Sequence, residues 1–425
     1  MFQNNKSLNK FNYNNFLEFF FYFIIFITPL ITTYNDQQNI NRILALQIIF
    51  VFLLLFQKNS LNLIISSIKN NQKTVIILSL FLISITISYI GSPGKIEDWG
   101  FEFVRHKYLQ SVIYFLFFIA TYIYLNKYQL NFKYFKKVII LSALLFVLIT
   151  YTRYFFEVNS EIYNLLSFFS TIRSPGYVLT SLISLFIGFI LIKNSKNLNF
   201  TDIAILSTLI SLVYFFGGRG NLISIIIACI ISIIYKRIIK EEIDVLIKTF
   251  LISFLLAFVA LEIFKLIISL SSVPGVSVIN YYTIFRYNFL DRLEIWIACL
   301  NLFKENIFFG YGPNILILLQ ANGLLEIGNW SKSNMMVSHP HNFILQFLIE
   351  WGLIGTLLIL FLMTKNMLKG IIILIKKQNK YLIIPVLNVA GLTAHGMVDG
   401  TYIHPVTVTF LLISNAMIAA NVKFK

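Results

Sequence analysis

His339-Pro-His-Asn342 runs without interruption into an apolar stretch, 343–364, that carries Gln346, Glu350 and Gly352-Leu-Ile-Gly355. A run of that length and composition reads as a membrane-crossing helix. Arg, His, Asn and Glu are expensive at a membrane surface unless they pair or act, yet they gather here at the mouth of one hydrophobic segment. Upstream lie Gly310-Tyr-Gly-Pro-Asn314, Arg292-Leu-Glu-Ile-Trp296 and Arg286.

The rest of the chain is nearly all span. Hydrophobic residues make up 58% and charged residues 12%, where a soluble domain has about 25% charged. About twelve apolar segments are present, near 16–33, 43–57, 74–90, 107–125, 138–156, 176–192, 202–216, 220–235, 246–270, 343–364, 382–398 and 403–421. All are expected to be helices, because lipid cannot satisfy an open strand edge. The pattern predicts an all-α, polytopic integral membrane protein with one large outer loop, 271–342, before the tenth helix. It reads as a single domain, 1–425. No cleavable signal peptide is read, because the first apolar run ends without a small-residue cleavage site. Cys229 and Cys299 do not suggest a disulfide framework.

Lys and Arg set the orientation. The tails and even-numbered loops hold 22 of the 34 basic residues and five of the 18 acidic ones. That side is expected to be cytoplasmic, with both termini on it. The net charge of +16 is therefore a topology signal. No basic face interleaved with aromatics on a soluble element points to nucleic acid. Of eight arginines, only Arg237 falls on the Lys-rich side. The other seven fall at the outer face, where a planar fork grips phosphate oxygens as Lys does not. Some of these could instead snorkel or pair with nearby carboxylates.

In the outer loop, 291–306 reads as an amphipathic helix with Leu293, Trp296, Ile297, Leu300 and Phe303 on one stripe. His341 is the first candidate for proton transfer, since a neutral imidazole accepts a proton near pH 7. Asn342, Gln346 and Glu350 follow on one helical face that should meet a bundle interior or wet cavity. Helix-to-helix adhesion is the alternative use of that face. His339 with His341 suggests a metal pair, but the outer loops offer no Asp-x-Asp or His/Cys cluster to complete it, so no metal is expected. Arg219, in Gly217-Gly-Arg-Gly220, and Arg173, in Arg173-Ser-Pro-Gly176, are outer Arg–Gly turns suited to a phosphate at headgroup depth. His395 and Asp399, four residues apart, read as a structural cap.

Taken in order, these landmarks resemble the O-antigen ligase and O-antigen polymerase superfamily of bacterial inner-membrane glycosyltransferases. The matching residues are Arg219, Arg292, Trp296, Gly310, Gly312, Pro313, Asn314, His341, Asn342, Leu345, Glu350, Gly352 and Gly355. Gly218 stands where that family often has Ser. The resemblance implies a donor glycan on undecaprenyl diphosphate and an acceptor sugar hydroxyl on the lipid A core or on another lipid-linked glycan. It implies no metal and no cofactor. Arg219 and Arg292 would stabilise the diphosphate leaving group, and His341 would orient or deprotonate the acceptor. Arg173, Arg286, Asn314, His339, Asn342 and Glu350 are the expected substrate contacts. Length, span count and the single large loop favour a ligase. A polymerase, a protein O-oligosaccharyltransferase and, from another class, a lipid-linked glycan flippase are the alternatives. Most polar residues sit at the outer ends of spans, which favours an enzyme over a transporter.

The Lys distribution makes a direct prediction. A periplasm-dependent reporter fused at Gly323 should be active, and one fused after Lys425 inactive. The reverse pattern at either point would put the motif loop in the wrong compartment.

Overall fold

The computed structural model describes residues 13–425 except 32–35, 58–59, 93–97, 158–173, 194–196, 217, 271–288, 322, 328–336, 338, 401 and 403. Arg173 and Arg286 lie outside the described residues. The chain forms α1 (Tyr13–Ile31), α2 (Asp36–Leu55), α3 (Ser60–Asn70), α4 (Gln72–Ile90), α5 (Asp98–Lys127), α6 (Phe132–Glu157) and α7 (Ser174–Ile192). It continues with α8 (Phe200–Phe216), α9 (Arg219–Ile238), α10 (Asp244–Leu270), α11 (Phe289–Glu305) and α12 (Ile315–Ala321). The last helices are α13 (Phe343–Ile375), α14 (Ile383–Gly396) and α15 (Pro405–Ala419). Among the described residues the only β pairing is one isolated bridge, Leu130 to Phe424.

The protein is an all-α polytopic membrane protein. Each of the twelve apolar segments falls on a helix. Among the described residues, by length and apolarity alone, seven helices can cross a bilayer, or eight if the pair bent by 98° between α2 and α3 is one span. α8 and α15 are apolar but shorter than the usual span. The segments near 202–216 and 220–235 are two separate helices, α8 and α9. α7 is buried along almost its whole length and packs against α8, α9 and α14. Burial on all sides explains its unbroken apolar character.

The Lys-rich connections gather at one end of the bundle. Asn379 binds Asn421 and the Val422 carbonyl, Lys377 Nζ donates to the Ile239 carbonyl at 3.0 Å, and Phe132 packs on Phe424 and Tyr381.

α13 does not run straight. Asn342 caps it, its side chain accepting from the amides of Ile344 and Leu345 at 3.0 and 3.2 Å. The helix then breaks at Gly352, whose φ of 64° and ψ of −171° are essentially restricted to glycine. A break orphans backbone groups, which a membrane interior cannot solvate. The loop 307–312 supplies the partners. Tyr311 and Gly312 amides donate to the Ile349 and Glu350 carbonyls at 2.8 and 2.9 Å. Leu353 and Ile354 amides donate to the Ile307 and Phe308 carbonyls at 2.7 and 3.2 Å. The Ser88 hydroxyl of α4 also donates to the Glu350 carbonyl.

A satellite core fastens the outer loop onto α13. Ile295, Cys299 and Leu302 of α11 pack with Ile315, Leu316 and Leu319 of α12 and with Ile349. This corrects the expected stripe of α11. Leu293, Ile297 and Leu300 are exposed, because the helix is apolar on two faces and α12 and α13 cover the other one. Burial pushes the Cys299 thiol up to about 12, so it offers no thiolate at neutral pH.

The break makes a stability prediction. A Cβ on Gly352 would lie 2.4 Å from the Phe308 carbonyl, and one on Gly310 would lie 2.6 Å from the Gly352 nitrogen. Gly352→Ala and Gly310→Ala should each cost at least about 2 kcal/mol, combining left-handed backbone with a backbone clash. Gly323 also has positive φ but nothing within 4 Å of its Cβ position, so Gly323→Ala should cost only roughly 1 kcal/mol. Thermal unfolding in detergent checks the order.

Candidate active site

The end of the bundle away from the Lys-rich connections brings three separate segments together: the turn before α13, the connection from α14 to α15, and α11. In the first, His341 has a φ of 52°, an uncommon left-handed conformation for a non-glycine residue. In an extended chain His339 and His341 could diverge after Pro340. Here their rings lie 4.2 Å apart, centroid to centroid. Trp296 Nε1 of α11 donates to the Pro340 carbonyl at 2.9 Å and holds the turn. Gln320 of α12 clamps its approach with two 3.0 Å bonds to the backbone of Val337.

The second segment supplies a carboxylate. Asp399 Oδ1 accepts from His341 Nδ1 at 2.8 Å, lies 3.6 Å from His339 Nε2, and accepts from the Gly400 amide at 2.9 Å. The amides of Val398 and Asp399 bond back to the His395 carbonyl at 3.0 and 2.9 Å, so the end of α14 fixes the carboxylate in place. A carboxylate on Nδ1–H fixes the tautomer and leaves Nε2 as the basic nitrogen. Asp399 is thus a partner of His341. The sequence reading of a local cap with His395 is corrected, since His395 Nδ1 sits 2.8 Å from Thr180 Oγ1 instead.

Arg292 reaches the same connection, its Nη1 donating to the Val398 carbonyl at 2.5 Å. Asn342, besides capping α13, donates to the Met397 carbonyl at 3.3 Å. Its expected role as a substrate contact therefore sits beside two structural ones. Arg219 is exposed and begins α9. The next residue packs on the end of α14: a Cβ on Gly220 would be 2.3 Å from His395 Cδ2. Asn221 binds the Gly176 carbonyl and Thr180 Oγ1, tying the Arg219 turn to the start of α7. Tyr177 lies against both His395 and His404.

A second group lies deeper along α13. Glu350 is buried; its Oε1 accepts from the Asn314 amide at 2.9 Å and from Gln346 Nε2 at 3.1 Å. Glu350 therefore caps α12 across the break, and the expected polar stripe is a connected pair. All three residues line the outer part of a cavity of about 500 Å³ between α3, α4, α5, α13 and α15. The wall is largely apolar and aromatic, including Phe81, Tyr114, Phe118, Phe347 and Trp351; Lys365 and Lys369 lie at the far end. Lys107 of α5 also lines it. Tyr402 borders the cavity and stacks on Phe343. The sequence reading missed Lys107 and gave Asp399 a structural role beside His395. Lys107 had one possible signal, a cation at the outer end of an apolar segment.

Residues 203–360 match the family model for O-Antigen ligase. No curated protein matches the chain. The match supports the O-antigen ligase and polymerase superfamily named above from the motifs, and with it a ligase or polymerase function. It contains Arg219, Arg292, His341 and Glu350 and ends before Asp399.

Removing Glu350 should separate its structural part from its charge. Glu350→Ala leaves the buried Asn314 amide without its acceptor and should cost roughly 1–3 kcal/mol. Glu350→Gln keeps an acceptor oxygen and should cost less. Equal melting losses for both variants would mean that the bond to Asn314 is not what Glu350 contributes.

Proposed function

We propose that this chain is a glycosyltransferase of the ligase type. It moves a glycan from undecaprenyl diphosphate to an acceptor sugar hydroxyl, that of the lipid A core, at the periplasmic face of the bacterial inner membrane. The observation that carries this reading is the His341–Asp399 pair, with Arg292 bonded to the same turn through the Val398 carbonyl and an apolar cavity along the helix that His341 precedes.

The chemistry needs three things. A polyprenyl tail needs an apolar groove, and the cavity along α13 is walled largely by apolar and aromatic side chains. A diphosphate leaving group needs fixed positive charge where its own charge develops. Arg219 and Arg292 serve this at the outer ends of α9 and α11, and Lys107 adds a cation at the head of the groove. An acceptor hydroxyl needs a base. Asp399 holds the Nδ1–H of His341, and Nε2 takes the hydroxyl proton as the acceptor oxygen attacks the anomeric carbon. The bond from that carbon to the diphosphate oxygen breaks, and the lipid diphosphate leaves. Arginines in place of a bound cation make the transfer independent of metal. Arg173, Arg286, His339 and Asn314 are proposed to bind the glycan or diphosphate. A polymerase would use the same machinery with a second lipid-linked glycan as acceptor.

Transfer from purified undecaprenyl-diphosphate glycan, in detergent or vesicles, tests the assignment. His341→Ala and Asp399→Asn should each slow transfer by roughly 10²–10⁴-fold, the usual worth of general-base help, while the protein still accumulates in the membrane. Arg219→Lys and Arg292→Lys should each lose most activity, because charge without the bidentate fork does not suffice. Added chelator should leave the wild type active. Transfer at the wild-type rate by His341→Ala would remove the base from the mechanism. Ligase and polymerase separate on a lipopolysaccharide gel after deletion: bare core marks a lost ligase, and core with a single repeat marks a lost polymerase.

A further inference from the structure

We propose that His339, His341 and Asp399 form a binding site for one divalent transition-metal cation of the zinc class, and that a cation held there blocks glycan transfer. The second half rests on His341 being the base; the first half does not.

The donor atoms are already gathered. One ring nitrogen from each of His339 and His341 and one Asp399 carboxylate oxygen all lie within 4.8 Å of one another, and the nitrogens that approach Asp399 Oδ1 are His339 Nε2 and His341 Nδ1. With zinc bonds of about 2.0–2.1 Å, neighbouring tetrahedral ligands sit about 3.3 Å apart. The two distances to Asp399 Oδ1, 2.8 Å from His341 and 3.6 Å from His339, bracket that value. Small side-chain shifts therefore complete three corners of a tetrahedron. The left-handed backbone at His341 and the Trp296 bond to Pro340 turn both imidazoles onto the same carboxylate. The Gly400 amide orients Asp399 from behind, as outer partners do at metal sites. The loop around the His-x-His motif lacks a third ligand in sequence; α14 and α15 supply it from 58 residues away.

The donor set selects the cation class. Two imidazole nitrogens and one carboxylate suit zinc and its transition-metal neighbours. Magnesium and calcium ask for six or more oxygens, which these residues do not offer. Three protein ligands leave a fourth position for water or a substrate oxygen.

The blocking effect follows from the tautomer. Without metal, the one ring proton of neutral His341 is on Nδ1, given to Asp399, and Nε2 carries the lone pair. A cation bonded to Nδ1 takes that position. The ring proton moves through solvent to Nε2, and the lone pair that would accept the hydroxyl proton is gone. No net proton is released by His341 in this exchange, and nothing is oxidised or reduced.

The test uses the full chain purified in detergent, with zinc ion alone as the binding probe. Calorimetric titration after removal of adventitious metal should show one site per chain. His339→Ala, His341→Ala and Asp399→Asn should each weaken binding by more than the roughly 10–100-fold typical of losing an outer partner. X-ray absorption of the zinc-loaded wild type should show two imidazole nitrogens, a measurement that needs no variant to fold. No site in the wild type, wild-type affinity in the variants, or fewer than two imidazoles would overturn the metal site. Transfer should stop as zinc fills the site and return on chelation. Zinc bound through both imidazoles with transfer unchanged would keep the site, overturn the blocking, and remove His341 as the base.

Discussion

The exchange of four backbone hydrogen bonds between the broken helix α13 and the 307–312 loop governs the rest of the outer face. A transmembrane helix satisfies its own backbone, and a break at Gly352 forfeits that within a medium that offers no replacement. The loop repairs it from both sides, giving amides to Ile349 and Glu350 and carbonyls to Leu353 and Ile354. The repair requires two backbones in direct contact, which is why Gly310 and Gly352 face each other without side chains. Gly-x-Gly-Pro-Asn and Glu-x-Gly are therefore two halves of one joint. Neither means much alone.

The joint has consequences in both directions along α13. Below it, the remaining helix carries the apolar wall of the cavity. Above it, 343–351 is a rigid segment about 13 Å long at 1.5 Å per residue. Its N-cap is Asn342 and its buried face carries Gln346 and Glu350. The loop that clasps its lower end continues through Asn314 into α12, and Glu350 accepts the Asn314 amide. α12 then holds Val337 through Gln320, on the approach to the His-Pro-His turn. The loop is long but bonded at successive points to the helix it precedes.

Much of this was legible in the sequence because it depends on order and spacing within one segment. The all-α membrane class and the placing of Gln346 and Glu350 on one buried helical face came from residues near one another in the chain. What failed to read were contacts made across the bundle. Asp399 stands four residues after His395, a spacing that suggests a helix-local pair. α14 ends at Gly396, the following turn swings Asp399 out to His341, and His395 turns inward to Thr180. The apolar stripe of α11 failed for a related reason. The helix is apolar on two faces, and only the position of α12 and α13 decides which face is covered. Lys107 was overlooked because a lysine at the end of a span reads as a topology signal until the groove beside it is seen.

The arrangement also sets the distance between the two halves of the chemistry. The His341–Asp399 pair proposed to take the proton sits at the N-cap end of 343–351, and the polar head of the apolar groove sits at its other end, at Glu350. One short helical segment, capped above by Asn342 and locked below by the backbone exchange, fixes both. A lipid-linked donor in the groove and an acceptor at His341 would then be registered by a single rigid element rather than by the long loop. Loops are soft, and a reacting geometry tolerates little slack, since a misplacement of about 1 Å costs on the order of 10²-fold in rate. Asp399 adds the remaining constraint from outside that element, through a turn bonded to the end of α14 and touched by Arg292. His341 is thereby held from two helices, α13 and α14, and its orientation depends on their packing as much as on its own motif.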